Sequence, residues 1–260
     1  MSTLEIHATA IVHPRARLGR DVTIGPYSVI GPDVELGDRT WVGAHAVIEG
    51  RTTVGSDNRI FHGAVLGAEP QDLKYRREAT FLRVGSGNTL REYATLHLAC
   101  GEGTSTTVGN GCLLMAYVHV AHNCHIRDHV ILANAVNLAG HVEIQDYASI
   151  GGVTPVHQFV RVGAHAFVGG GSRVPKDVAP FLKCAGNPLE LAGINSVGLE
   201  RRGFDEERRT RLKRAYRVLF RSGLNVSQAL ERLRGDFAPG DADIELLIDF
   251  VEHSERGIQT

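Results

Sequence analysis

The stretch His119-Val120-Ala121-His122-Asn123-Cys124-His125 puts three imidazoles within seven residues, and His141 and His157 follow downstream. Histidine is the side chain whose ordinary pKa lies nearest neutrality, so such a cluster can supply a general base or a set of metal ligands. Gly140 lies eighteen residues after His122. In a chain that repeats every eighteen residues, the Gly140 amide would stack over the His122 imidazole. A base beside an unhindered N–H suits acyl transfer, in which one group takes a proton and the other holds an oxyanion.

The elements that must position these residues are written in a period of six. Aliphatic residues occupy Ile6, Val12, Leu18, Ile24, Ile30, Leu36, Val42, Ile48, Val54, Ile60 and Leu66, then Val84, Leu90 and Leu96, and every sixth position from Val108 to Val174. A small or slender residue follows four places later, as at Ala10, Ala16, Ser28, Thr40 and Ala46, and glycine often follows directly, as at Gly19, Gly25, Gly37 and Gly43. The period fits neither helix nor hairpin and predicts a solenoid, three hexads to a triangular coil, with glycine easing the turn dihedrals. The fold class is mainly β, a parallel β-helix. Its register is broken at Asp72, Glu78 and Glu102, all acidic, which predicts loops extruded near residues 67–83 and 98–107. Histidine at 122 falls on a turn and should point outward.

After Val178 the pattern changes. Pro180 and Asn187-Pro188 punctuate the solenoid's end. Asp205 then caps a helix with Glu206 and Glu207 in its first turn, a stripe of Leu212, Ala215, Tyr216, Leu219 and Phe220, and Gly223 as its stop. Further helices begin at Asn225 and carry Ile244, Leu247, Ile248 and Val251. The expected division is a β-helix over residues 1–180 and an α-helical domain over 181–260.

Composition narrows the function. With 260 residues and a net charge of −1, nothing suggests wholesale binding to a polyanion, and one Trp with six Tyr gives little for stacking on bases, so no nucleic acid is expected. No apolar run precedes Ile6, so neither a signal peptide nor a membrane span is visible and a cytoplasmic location is expected. Cys100, Cys112 and Cys124 sit in the small-residue slot, and with Cys184 they show no C-x-x-C spacing. They read as packing thiols, and no metal or redox cofactor is expected.

The segment Leu114-Met115-Ala116-Tyr117-Val118-His119-Val120-Ala121-His122-Asn123-Cys124 resembles the catalytic coil of the UDP-N-acetylglucosamine acyltransferases, which open lipid A synthesis in Gram-negative bacteria. The likeness extends through Leu138-Ala139-Gly140-His141, Gly151-Gly152-Val153-Thr154-Pro155-Val156-His157-Gln158-Phe159, the loop Gln71-Asp72-Leu73-Lys74-Tyr75 and Gly198-Leu199-Glu200-Arg201-Arg202-Gly203-Phe204. It implies a left-handed coil and a homotrimer with sites between neighbouring subunits. It also implies transfer of a 3-hydroxyacyl chain from acyl carrier protein to the 3-hydroxyl of UDP-N-acetylglucosamine. His122 would be the general base and the Gly140 amide the oxyanion donor, with no acyl-enzyme. Asp72, Lys74, His119, His141, His157 and Gln158 would line the sugar and nucleotide pocket, and Asn195, Arg201 and Arg202 would meet the nucleotide. Gly170 matches the position that limits acyl length, and a glycine there implies a long chain of the hydroxymyristoyl kind. The basic run Arg208, Arg209, Arg211, Lys213, Arg214, Arg217 and Arg221 would steer the acidic carrier.

Two features depart from the family pattern. Asn123 stands where many relatives have Asp, so an orienting carboxylate for His122 must come from elsewhere or be dispensable. Leu98-Ala99-Cys100 and the Gly101–Ser105 loop replace the usual sequence after His97, which leaves a 3-amino sugar nucleotide as an alternative acceptor. Three other readings compete. The sister N-acyltransferase carries a uridine-binding domain before its coil, whereas the repeats here begin at Ile6, so that reading is not expected. A γ-type carbonic anhydrase would bind zinc through such residues as His119, His122, His125 and His141. A non-catalytic carrier- or nucleotide-binding scaffold would need neither.

Overall fold

The computed structural model describes residues 4–260, and its order of elements follows from the hexads. Most coil strands are two residues long, such as Leu113–Leu114, His119–Val120 and His125–Ile126. They assemble into three sheets of eleven, eight and eight strands, and every pairing between coils is parallel. Within a strand the first residue faces out and the aliphatic faces the axis. Leu114, Val120 and Leu132 are wholly buried, and Ile126 is 1% exposed. Each such side chain contributes about 1.5–3 kcal/mol on burial, and the residue four places later, such as Val118 or Cys124, is buried beside it.

Glycine does a different job from the one its spacing suggested. The left-handed φ of each tight turn falls three places after the aliphatic, on residues such as Tyr117 (63°), Asn123 (59°), His129 (58°) and His141 (61°). The glycines directly after the aliphatic do not carry it, except Gly67 (80°) at the start of the first loop. They lie where coils approach most closely: a Cβ on Gly37 would come 2.7 Å from the Gly55 carbonyl oxygen. Room between coils, rather than turn dihedrals, fixes glycine there.

Both extruded loops leave the same corner. The first joins Val65–Ala68 in the second sheet to Phe81–Val84 in the third, and the second joins Thr95–His97 to Ser105–Val108 across the same pair of sheets. Stacked partners are 18 residues apart in regular coils (Arg39 on Asp57), 30 across the first loop (Asn58 on Asn88) and 24 across the second (Asn88 on Cys112). The insertions are thus whole hexads, and the aliphatic register reads straight through them. The next turn at that corner, after His119–Val120, carries His122.

Single bridges at Val174 and Val178 continue the coil pairing. An antiparallel pair, Leu182–Ala185 with Glu190–Ile194, then extends the first sheet. Helices α1 (Ser196–Arg201), α2 (Glu206–Arg221), α3 (Val226–Asp236) and α4 (Ala242–Glu252) follow. Asp205 caps α2 by accepting from the Arg208 amide, and Asn225 forms a reciprocal capping box with Gln228. Neither α1 nor the antiparallel pair was expected from the sequence, and Arg201-Arg202 closes α1. The tail is tied back where Ser254 donates to the buried Asp177 carboxylate at 2.7 Å. Among the described residues no helix is long and apolar enough to cross a membrane.

Candidate active site

His122 sits on the turn between the second and third sheets, and it is only 8% exposed although its hexad position faces out. The first loop covers it. Asp72 brings Oδ2 to 3.7 Å from Nε2, while Nδ1 lies 2.9 Å from Asn123 Oδ1. Gly140 lies against the ring as the eighteen-residue stacking requires: a Cβ there would come 2.5 Å from Nε2. At the neighbouring corner the equivalent turn amides are capped by a side chain from the coil above, Asn110 by Asp128 and Asp128 by Asp146. Gly140 has no side chain to offer His122, and the Gly140 N–H itself donates to nothing among the described residues. A small anion could therefore be held beside the imidazole.

Around this pair the chain gathers further polar groups. His141 meets the His122 ring edge-on at 5.2 Å and stacks on Phe159 at 4.9 Å. Gln158 occupies the same turn position one coil beyond Gly140, and His157 beside it is bonded through Nδ1 to the Gln158 carbonyl at 3.0 Å. The Lys74 amide donates to Asp72 Oδ1 at 2.9 Å. That bond, with the charges of His122 and Lys74, holds the Asp72 carboxyl below the ordinary carboxylate range. Burial pushes the imidazoles of His141 and His119 down, and His119 Nδ1 is paired with Thr95 Oγ1 at 2.8 Å.

Several members of this site were not singled out from the sequence. His97 packs edge-on against His119 at 4.9 Å, its Nδ1 is buried without a partner, and burial pushes its pKa down to about 4. Glu78 and Glu102, noticed only as breaks in the register, clamp the two loops together. Glu78 accepts from the Gly101 amide at 2.7 Å, and Glu102 accepts from the Ala79 amide at 3.0 Å. Cys100, placed in a packing slot by its register, instead lies part-exposed in the second loop with its thiol against Glu78. Cys112, Cys124 and Cys184 are buried as expected.

Asn195, Arg201 and Arg202 are elsewhere. They line a cavity of about 720 Å3 against the outer face of the first sheet, with Ile131, Ser149 and Phe167. Arg202 lies over the Tyr147 ring at 5.1 Å, and burial pushes its pKa down. The Asn195 amide is committed at both ends, accepting from Gly198 N and donating to the His165 carbonyl. Gly170 lies at a third place, on the corner between the first and second sheets, where it rests against Gly152. In a triangular prism the first sheet faces away from the corner that holds His122, so one chain does not bring the two groups together.

The basic run on α2 is also not a free face. Arg208 pairs with Asp243, Arg209 with Glu200, Arg211 with Glu207 and Asp241, and Arg214 with Asp236. Among the described residues Lys213, Arg217 and Arg221 form no ion pair, Arg221 lying over the Tyr216 ring.

Comparison with known proteins agrees over the whole chain. A family profile described as UDP N-acetylglucosamine O-acyltransferase, domain 2, matches residues 177–259, and the bacterial transferase hexapeptide profile matches residues 105–140. The acyl-[acyl-carrier-protein]–UDP-N-acetylglucosamine O-acyltransferase of Paracidovorax citrulli is 56% identical over 257 residues, covering 97% of this chain and 98% of its own. Its namesake from Paraburkholderia phymatum is 49% identical over the same share of each. Among solved structures, the UDP-N-acetylglucosamine acyltransferase of Francisella novicida superposes with a TM-score of 0.94 at 39% identity, covering 97% of this chain and 93% of that one. The Arabidopsis enzyme gives 0.85 at 34%, covering 98% and 100%. These relatives do not favour the hydrase, and within one chain His119 and His125 turn to separate threonines, Thr95 and Thr107, on neighbouring sheets.

Proposed function

The chain belongs to the UDP-N-acetylglucosamine O-acyltransferase family and is an acyltransferase. On that premise we propose that it moves a 3-hydroxyacyl chain from acyl carrier protein to the 3-hydroxyl of UDP-N-acetylglucosamine, the opening step of lipid A synthesis. His122 Nε2 takes the proton as the sugar oxygen attacks the thioester carbonyl. The Gly140 N–H holds the resulting oxyanion. Collapse of the intermediate expels the carrier's thiolate, which recovers the proton from His122. The observation that supports this reading is the unspent Gly140 amide lying against the His122 ring.

Asp72, Lys74, His119, His141, His157 and Gln158 serve as the sugar pocket. Asn195, Arg201 and Arg202 serve the nucleotide, with Arg202 as a forked donor for the diphosphate. Because the two groups occupy opposite sides of one prism, a homotrimer with sites between subunits accounts for their joint use. Gly170 leaves a groove open for a long acyl chain, Lys213, Arg217 and Arg221 remain for steering the carrier, and the enzyme works in the cytoplasm.

The test is transfer of 3-hydroxymyristoyl from carrier to UDP-N-acetylglucosamine. His122→Ala should lose about 10²–10⁴-fold in kcat, the usual value of a positioned base. Activity within a few-fold of the parent would remove His122 from the chemistry.

A further inference from the structure

The two departures from the family pattern, Asn123 and the second loop, meet in one hydrogen-bonded unit. Asn123 stands in the left-handed turn conformation beside His122, a position asparagine tolerates better than most residues. It is 7% exposed, and its own amide is held by Thr106 Oγ1 at 2.9 Å. Its side chain reaches into the second loop at both ends. Oδ1 accepts from the Cys100 N–H at 3.0 Å, and Nδ2 donates to Thr104 Oγ1 at 3.2 Å. The single Thr104 hydroxyl proton is directed at the loop's own carbonyls, Gly101 at 2.6 Å and Cys100 at 3.1 Å, which leaves the oxygen as the acceptor.

This network removes an ambiguity that an asparagine usually carries. Turning the amide over would set its NH₂ against the Cys100 N–H, two donors face to face, and a backbone N–H cannot reverse its role. Oδ1 therefore faces both Cys100 and His122. An acceptor beside His122 Nδ1 requires that nitrogen to carry the proton, so the lone pair of the neutral imidazole lies on Nε2, on the side of Asp72 and Gly140. We propose that Asn123 is the positioning residue for His122: aimed by Cys100 and Thr104 of the second loop, its carbonyl fixes the proton on Nδ1 and exposes Nε2 as the base.

A carboxylate at this place would also fix the tautomer, but it would favour the imidazolium as well. An amide orients without charging. The anion nearest the ring is then Asp72, on the Nε2 side, and the other ionisable groups facing it are His141 directly and His97 at longer range, while Lys74 acts on Asp72 and His141. Thr104 is matched to asparagine in the same way. A carboxylate oxygen facing it would demand its proton and take it from the Gly101 carbonyl, so the loop sequence and Asn123 belong together.

The inference rests on His122 being the base, and its test does not require turnover. In ¹⁵N-labelled full-length protein, the His122 ring signals, assigned by their loss in His122→Gln, should be those of the Nδ1-protonated tautomer. The Nε2-protonated form would overturn the proposal whatever His122→Ala does to activity. Asn123→Asp should move the acid limb of the kcat/KM profile up by about one pH unit, because the added anion favours the charged ring. An unmoved limb would count against the contact. Thr104→Val should lower kcat by about three- to tenfold with both KM values unchanged, and Thr104→Ser should restore it. Equal effects of Val and Ser would mean that the loop acts by packing alone.

Discussion

At the corner that holds His122, the groups that could do chemistry hang from backbone fixed by stacked coils and are covered by two loops. In the cavity beneath α1, by contrast, the groups come from a helix end lying on the outer face of the first sheet. The first region holds titratable side chains in contact with one another, His122 with Asp72 and His141, and an amide, Asn123, against the same ring. The second holds volume and fixed positive charge, about 720 Å3 bordered by Arg201 and Arg202. One is suited to moving a proton and the other to holding an anion. Neither is a complete site for a reaction between a thioester and a sugar nucleotide, and the prism keeps them apart within one chain.

The comparison is sharpened most by Gly140→Ala. The added methyl must displace the His122 ring and obstruct the amide, so kcat should fall by about 10²–10³-fold, the cost of an oxyanion donor. The melting temperature should change little beside that loss. A mutant as active as the parent would show that the stacked amide has no part in the reaction. Arg202→Ala addresses the other region. Loss of a charge-assisted donor costs about 1.5–3 kcal/mol, so KM for the sugar nucleotide should rise by about ten- to a hundredfold while KM for the acyl carrier stays put. A fall in kcat alone would move Arg202 out of the binding role.

The smallest effect concerns one histidine in each region, buried at the corner and half-buried near the cavity. His97 at the corner and His165 near the cavity both have pKa values pushed down to about 4 by burial, from 6.5. Their neutral forms are favoured in the folded state, so the unfolded chain binds more protons between pH 6.5 and 4. Stability is then full above 6.5 and declines as the pH falls through that window. Thermal melts should record the decline. His165→Phe, which extends the ring stack of Tyr147 and Phe181, should reduce it. An unaltered slope would mean that His165 does not carry its share.

How far the sequence could be read follows the same division. The corner was legible because coil stacking is a strict eighteen-residue rule: Gly140 over His122 followed from counting, and the whole-hexad insertions left the count undisturbed. The loops were visible as Asp72, Glu78 and Glu102, yet only contact across the loops shows that two of these are clamps and one faces the imidazole. The cover over His122 was invisible for the same reason, since hexad position reports a side chain's direction and not what arrives above it. The role of glycine was misread because composition does not separate a turn that needs a left-handed φ from a coil that needs space. On α2 the run of cations hid its partners, because Asp236, Asp241 and Asp243 lie on the next elements of the chain. Nothing periodic links α1 to the first sheet, so the cavity was found only in three dimensions.

The most direct test of the account is complementation between the two regions. His122→Ala and Arg202→Ala proteins are denatured together at equal concentration, refolded and assayed for transfer with the sugar nucleotide held below the parent KM, where each alone is of low activity. If sites join the corner of one subunit to the cavity of the next, random trimers should regain about a quarter of the parent activity, because each half-site is intact half the time. A mixture no more active than its separately refolded components would contradict the account and place both half-sites in a single chain.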